Sequence, residues 1–233
     1  VYQVYPRSFQ DGNNDGIGDL RGIIQKLDYL HALGVTALWL SPIFDSPNDD
    51  NGYDVRDYRA IMSEFGTMAD AEELISELHK REMRIILDIV VNHTSDEHEW
   101  FIDSVKHPQG KHGDYYIWRR GKGVLPPNNW TSFFSGPAWE KVDERDEYYL
   151  HLFSKKQPDL NWENPAVRDD VCGIIDFWRE KGVDGFRLDV INYISKTSLE
   201  DGSETLSSLL QFTGIEHYFY GNRLHEYLHE LKT

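Results

Sequence analysis

Cysteine is nearly missing: Cys172 is the only one among 233 residues, so no disulfide closes within the chain and a cross-linked mini-scaffold is excluded. Long apolar runs are missing too, and nothing approaches the roughly 18 residues of a membrane span. Positive charge is scarce. Lys and Arg number 24 against 40 Asp and Glu, a net charge of −16, and such a surface repels phosphate backbones and anionic membranes. Nucleic acid and membrane are therefore not expected partners. No repeat or low-complexity tract is visible, and with 39% hydrophobic residues the chain has ample material for a core. The lone thiol, in a periodic helical stretch, points to a reducing cytoplasm. No charged-then-apolar leader opens the sequence, although a start at Val1, inside an apolar run, is compatible with a signal cut away upstream.

What is there is a recurring order of short apolar run, polar turn and helix-period segment, the pattern of βα units around a parallel sheet. Val1 to Tyr5, Val35 to Leu40, Arg84 to Val91 and Val183 to Val190 read as four strands. Leu20, Ile23, Ile24, Leu27, Leu30 and Leu33 recur at helical spacing and predict one helix closed by Gly34. Thr67 with Asp70 marks a second helix start, and Asn164-Pro165 a third; Arg223 to Lys232 reads as a last helix. The stretch from Asn92 to Glu163 is too long for a connection and rich in aromatics, so a small inserted domain is expected there. Four β units fit half of a (β/α)8 barrel, and on alternation alone a doubly wound sheet nearly as well; the lack of G-x-G-x-x-G after the first strand argues against the latter.

Arg187 and Asp189 lie two apart on the fourth strand and so share a face. Opposite charges on a strand that should be apolar are costly to bury, which favours function over a structural ion pair. A guanidinium also favours the charged form of a neighbouring carboxylate, as a nucleophile requires. His93 stands with Asn92 at the C-terminal end of the third strand, where barrel active sites lie, although a lone His is often structural. Asp11, Asn13, Asp15 and Asp19, with the Ile17 carbonyl, surround a glycine turn in the manner of a calcium loop, but position twelve is Gly22 rather than Glu. The alternative there is a solvated acidic turn. Asp50 and Tyr53 combine a carboxylate and a ring, a pairing that holds sugars, in a segment whose Asn-Gly also simply makes a turn. Most rings of the insert, Trp100 through Phe153, are expected to form its own core.

Asp88 to His93, Gln157-Pro158-Asp159-Leu160-Asn161 and Gly185 to Asn192 together resemble signature regions of the α-amylase family of glycoside hydrolases, and most resemble its oligo-1,6-glucosidase and α-glucosidase branch. The resemblance runs the length of the chain. It implies the first half of a (β/α)8 TIM barrel, with residues 1–93 and 164–233 as barrel and 94–163 as an inserted domain after the third strand. It implies Asp189 as the nucleophile of a retaining mechanism, oriented by Arg187. His93 would bond the glucose ring, Tyr53 stack beneath it, Asp50 grip its terminal hydroxyls and Phe153 wall the pocket. Asp11, Asn13, Asp15, Ile17 and Asp19 would bind a structural Ca2+, or Mg2+. Gripping a chain end means exo-action, and Val190 after the nucleophile resembles members that favour α-1,6 linkages in isomalto-oligosaccharides. A small oligosaccharide is thus the expected partner, within carbohydrate metabolism. The same motifs occur in α-1,4-glucosidases and in sucrose hydrolases and isomerases, and relatives that use the barrel as a non-catalytic scaffold lack the nucleophile. The family's acid/base Glu lies on strand five, which this sequence does not reach, so catalysis is not expected of these residues alone; retaining hydrolysis needs two carboxyl groups about 5 to 5.5 Å apart. The oligomeric state stays open.

Overall fold

The computed structural model describes residues 1–232. Its main sheet has four strands, Tyr2–Val4, Ala37–Leu40, Arg84–Val90 and Gly185–Asp189, in that spatial order. The first three pair in parallel, with Tyr2 opposite Leu38 and Ala37 opposite Arg84. The strands are short and mostly apolar, with Gln3, Asp88, Arg187 and Asp189 as polar interruptions. The four predicted strands are therefore present, each trimmed by a residue or two at its ends.

Two compact units make up the chain. The first comprises Val1–Ile89 and Gly173–Asp189. Leu20, Ile23, Leu27 and Leu30 are all fully buried in it, alongside Leu38 and Leu40 of the second strand. Instead of one helix over this stripe there are two, Leu20–Gln25 and Leu27–Ala32. At Lys26 the backbone leaves the helical well (φ −103°, ψ 3°), its N–H reaching the Ile23 and Ile24 carbonyls in a tightened turn. Spacing of three and four predicts which residues are buried but does not register such a break, since the stripe continues across it. Leu33, placed on the buried face by its spacing, is 55% exposed because the helix ends at Ala32. The Thr67 capping box with Asp70 is formed and opens the helix Met68–Lys80.

The second unit comprises Val90–Cys172 and Val190–Thr233. A three-stranded antiparallel sheet lies within it, Glu147–Leu150 in the middle, flanked by Trp118–Arg119 and Trp139–Val142. Trp130, Ala138, Trp139, Leu150, Leu152 and Tyr218 form its core, with Phe133, Tyr148 and Phe153 packed against them. Most rings of this stretch thus serve to fold it, as expected for a short segment, while Phe134 is 52% exposed. The helix Pro165–Glu180 opens where Asn164-Pro165 predicts, the Asn164 side chain accepting the Ala166 N–H.

Candidate active site

In the first unit, neighbouring strands bring three charged side chains together. Arg187 and Asp189 occupy alternate positions of Gly185–Asp189, and Asp88 lies on Arg84–Val90 beside it. The Arg187 Nη1 donates to both oxygens of Asp88, at 3.0 and 3.2 Å, and to Asp189 Oδ1. One guanidinium thus bridges two buried carboxylates. Its carbon sits 5.3 Å from the Trp39 ring centroid, within cation–π range. Tyr53 completes the cluster, its hydroxyl donating to Asp88 Oδ2 at 3.3 Å.

Burial dominates the electrostatics here. Asp88 is 1% exposed, and burial, with a further push from the Asp189 charge, outweighs Arg187 to raise its pKa to about 6. Burial also raises the Tyr53 phenol, and the Asp88 and Asp189 charges add to it, so the hydroxyl stays protonated and available as a donor. Asp189 is the residue after which the strand must turn. The next residue, Val190, takes a left-handed conformation (φ 39°, ψ 33°) before the 3-10 turn Ile191–Tyr193. A β-branched residue there costs on the order of 1 to 3 kcal/mol, the kind of strain that collects at functional sites.

Asp50 lies in the turn that precedes Tyr53. Its carbonyl accepts the Tyr53 N–H at 2.9 Å, and its own N–H donates to Asp54 Oδ1 at 2.9 Å. The other Asp54 oxygen takes the Asp49 N–H, also at 2.9 Å. Asp54 is fully buried, so one carboxylate staples the whole turn from below. Within the stapled turn Asn51 and Gly52 adopt positive φ, 51° and 91°, and the backbone of Asp50 is tied to that of Tyr53.

The second unit holds His93 and Phe153, with ring centroids 5.1 Å apart. Asn92 and Gln157 present amides to opposite nitrogens of the imidazole, at 3.1 and 3.2 Å. Backbone pairing sets this up: the Leu160 N–H donates to the Asn92 carbonyl at 2.8 Å, and His93 bridges Asp159 across the two segments. Below them Lys196 and Asp159 form an ion pair of 2.7 Å, both side chains buried.

In the acidic loop of the first unit the side chains fold onto the backbone. Asp11 accepts N–H groups from Asn13, Asn14 and Gly16, Asp15 accepts from Ile17, and Asp19 accepts from Gly12 and Gly22. The Asn13 amide donates to Asp15 Oδ2 at 3.0 Å. Among the described residues no three His, Cys, Asp or Glu side chains converge as a metal centre. The donors are all hard oxygens with further lone pairs, and their chemistry fits Ca2+ or Mg2+.

Three contributors were not singled out from sequence. Asp88 had a signal, an acid at an inward position of a buried strand. Asp54 and Lys196 had none, because a carboxylate in a turn and a lysine in a polar stretch look solvated until the fold buries them.

The α-amylase catalytic domain model matches residues 3–233, and the chain belongs to that family. Its four-stranded sheet accordingly supplies the first four strands of a (β/α)8 barrel. The chain is 59% identical over 233 residues to the oligo-1,6-glucosidase of Bacillus cereus and 61% identical over 232 residues to that of Parageobacillus thermoglucosidasius, covering 99% of this chain and 41% of each relative. It spans about two fifths of the length of these curated relatives. Among solved structures, a trehalose-6-phosphate hydrolase from Bacillus licheniformis superposes with a TM-score of 0.94 at 50% identity, over 99% of this chain and 40% of its own. An isomaltulose synthase from Erwinia rhapontici, solved as a mutant with sucrose, gives 0.94 at 53% identity, covering 99% and 41%.

Proposed function

We propose that the full-length protein is a retaining, exo-acting α-glucosidase that cleaves α-1,6 bonds at the non-reducing ends of isomalto-oligosaccharides. The observation that carries this is the pairing of Asp189 with Arg187 on one strand face, buttressed by Asp88 and Tyr53. In this reading an Asp189 oxygen attacks the anomeric carbon and forms a glucosyl ester. A second carboxylic acid protonates the leaving oxygen, and water then releases the sugar with retention. Arg187 holds the attacking carboxylate in place by a charge-assisted bond and keeps its negative charge partnered in a desolvated site. Tyr53 stacks on the sugar and Asp50 takes its terminal hydroxyls; for the second unit, the family resemblance implies that His93 bonds glucose and that Phe153 lines a sugar pocket. Support for the α-1,6 preference comes from the names of the relatives and from Val190.

Asp189→Asn in the full-length protein is expected to lower kcat/KM on isomaltose at least about a hundredfold, some 3 kcal/mol of transition-state stabilisation. Parent-like turnover in that variant rejects the nucleophile. The parent should prefer isomaltose to maltose and to sucrose; a reversed order moves the reading to an α-1,4-glucosidase or to a sucrose-acting enzyme on the same site.

The inferred role of the acidic loop is structural. Asp11, Asn13, Asp15, the Ile17 carbonyl and Asp19 would hold Ca2+ or Mg2+, relieving repulsion among three carboxylates and tying the loop to the helix Leu20–Gln25. Calcium added to chelator-treated full-length protein should raise its melting temperature, and Asp15→Asn should abolish the rise. No shift with either cation rejects the site.

A further inference from the structure

Phe153 lies in a bend beyond the strand Glu147–Leu150, and side chains hold its backbone there. Its carbonyl accepts the Ser132 hydroxyl at 2.6 Å and lies 3.0 Å from His151 Nδ1. Across the same peptide bond the Ser154 N–H donates to Gln157 Oε1 at 3.1 Å, so the peptide plane is bonded at both ends. The Phe153 ring hangs from that plane, its centroid 5.1 Å from His93 and 5.2 Å from Phe133.

Both holders are themselves fixed. Ser132 is 4% exposed; its N–H donates to the Gly136 carbonyl at 3.0 Å and its Oγ accepts the Phe134 N–H at 3.0 Å. His151 is 5% exposed, and its N–H donates to the Ala138 carbonyl at 2.8 Å. A carbonyl oxygen only accepts, so the His151 proton sits on Nδ1. Burial disfavours a second proton and holds the pKa below the ordinary 6.5. Nε2 is then a buried lone pair, and among the described residues it has no partner. An apolar side chain would fill the space without stranding a nitrogen, so what this imidazole contributes comes through Nδ1.

We propose that Ser132 and His151 are positioning residues for the sugar pocket: converging on the Phe153 carbonyl, they set the ring against which glucose packs. The inference rests on the reading of Phe153 as a wall of that pocket. A ring that meets substrate and transition state alike supplies uniform binding, so its displacement raises KM and spares kcat.

The test uses the full-length protein with isomaltose, well below the melting temperature of every variant. His151→Leu and Ser132→Ala should each raise KM about fivefold to tenfold, the scale of one hydrogen bond, with kcat changed less than about twofold. His151→Asn, which sets an amide N–H where Nδ1 stood, should bring KM back to within about twofold of the parent, a rescue that a packing role does not allow. In a Phe153→Ala background neither replacement should cost anything further. Nitrogen NMR of histidine-labelled protein, with His151→Asn identifying the signals, should find the His151 proton on Nδ1. A parent-like KM in either single variant, a His151→Asn variant as impaired as His151→Leu, losses that multiply with those of Phe153→Ala, or a proton on Nε2 overturns the inference. A parent that fails to cleave isomaltose, or a Phe153→Ala variant that keeps the parent's KM, strikes the glucose-pocket reading itself, and this inference with it, by a result that involves neither Ser132 nor His151.

Discussion

Burial takes from Asp88 the acidity a carboxyl has in water. Raised to about 6, it binds a proton more tightly folded than unfolded, where the ordinary value is 3.8. The sign follows: its contribution to stability is complete below about pH 4 and is lost as the pH rises through 6. The difference between the folded and unfolded values corresponds to about 3 kcal/mol. Asp88→Asn in the full-length protein should therefore flatten the fall in stability between pH 4 and 7 by roughly that amount, read from urea midpoints at each pH. A variant whose pH profile parallels the parent's places the titration elsewhere. Asp88 also shows what the residue scale makes legible. Spacing alone puts Arg187 and Asp189 on one face, and the structure joins them by an ion pair. The second acid on that guanidinium comes from a different strand, and no local pattern records which strand lies alongside.

Elements were legible where their signal is local. The Thr67 box, the Asn164-Pro165 start and the four apolar runs each carry their cause within a few residues, and the corresponding helices and strands are present. The break at Lys26 was not, because a tightened turn leaves the apolar spacing intact. Gly22 shows the same blindness to what lies across from an element. In the sequence it stands out only as the residue that breaks the calcium-loop pattern at position twelve, yet a Cβ there would stand 1.8 Å from the Gln10 carbonyl oxygen. Gly22→Ala should consequently destabilise the full-length protein by about 1 to 3 kcal/mol, although alanine is the better helix former by about 1. A stable or stabilised variant would show that the Gln10 strap yields freely.

At the scale of the whole molecule, the order of strands and the acidic balance are set by the entire sequence, and both were readable from it. Parallel order follows from the alternation of strand and helix, and barrel closure from family membership. What stayed hidden is which polar side chains the fold buries as staples: Asp54 within the Asp50 turn, and Lys196 on Asn92 and Asp159 from far along the chain. Among the described residues no helix is long and apolar enough to cross a membrane, and the net charge of −16 suits a neutral sugar better than an anionic partner.

In the proposed function one carboxylate, Asp189, bonds covalently to glucose. A fluorinated glucosyl fluoride, which forms the ester quickly and loses it slowly, should trap that bond in the full-length protein, and mass spectrometry of its peptides should find a single added sugar on Asp189. A label on any other residue, or an enzyme that turns over isomaltose yet never carries the sugar, contradicts it.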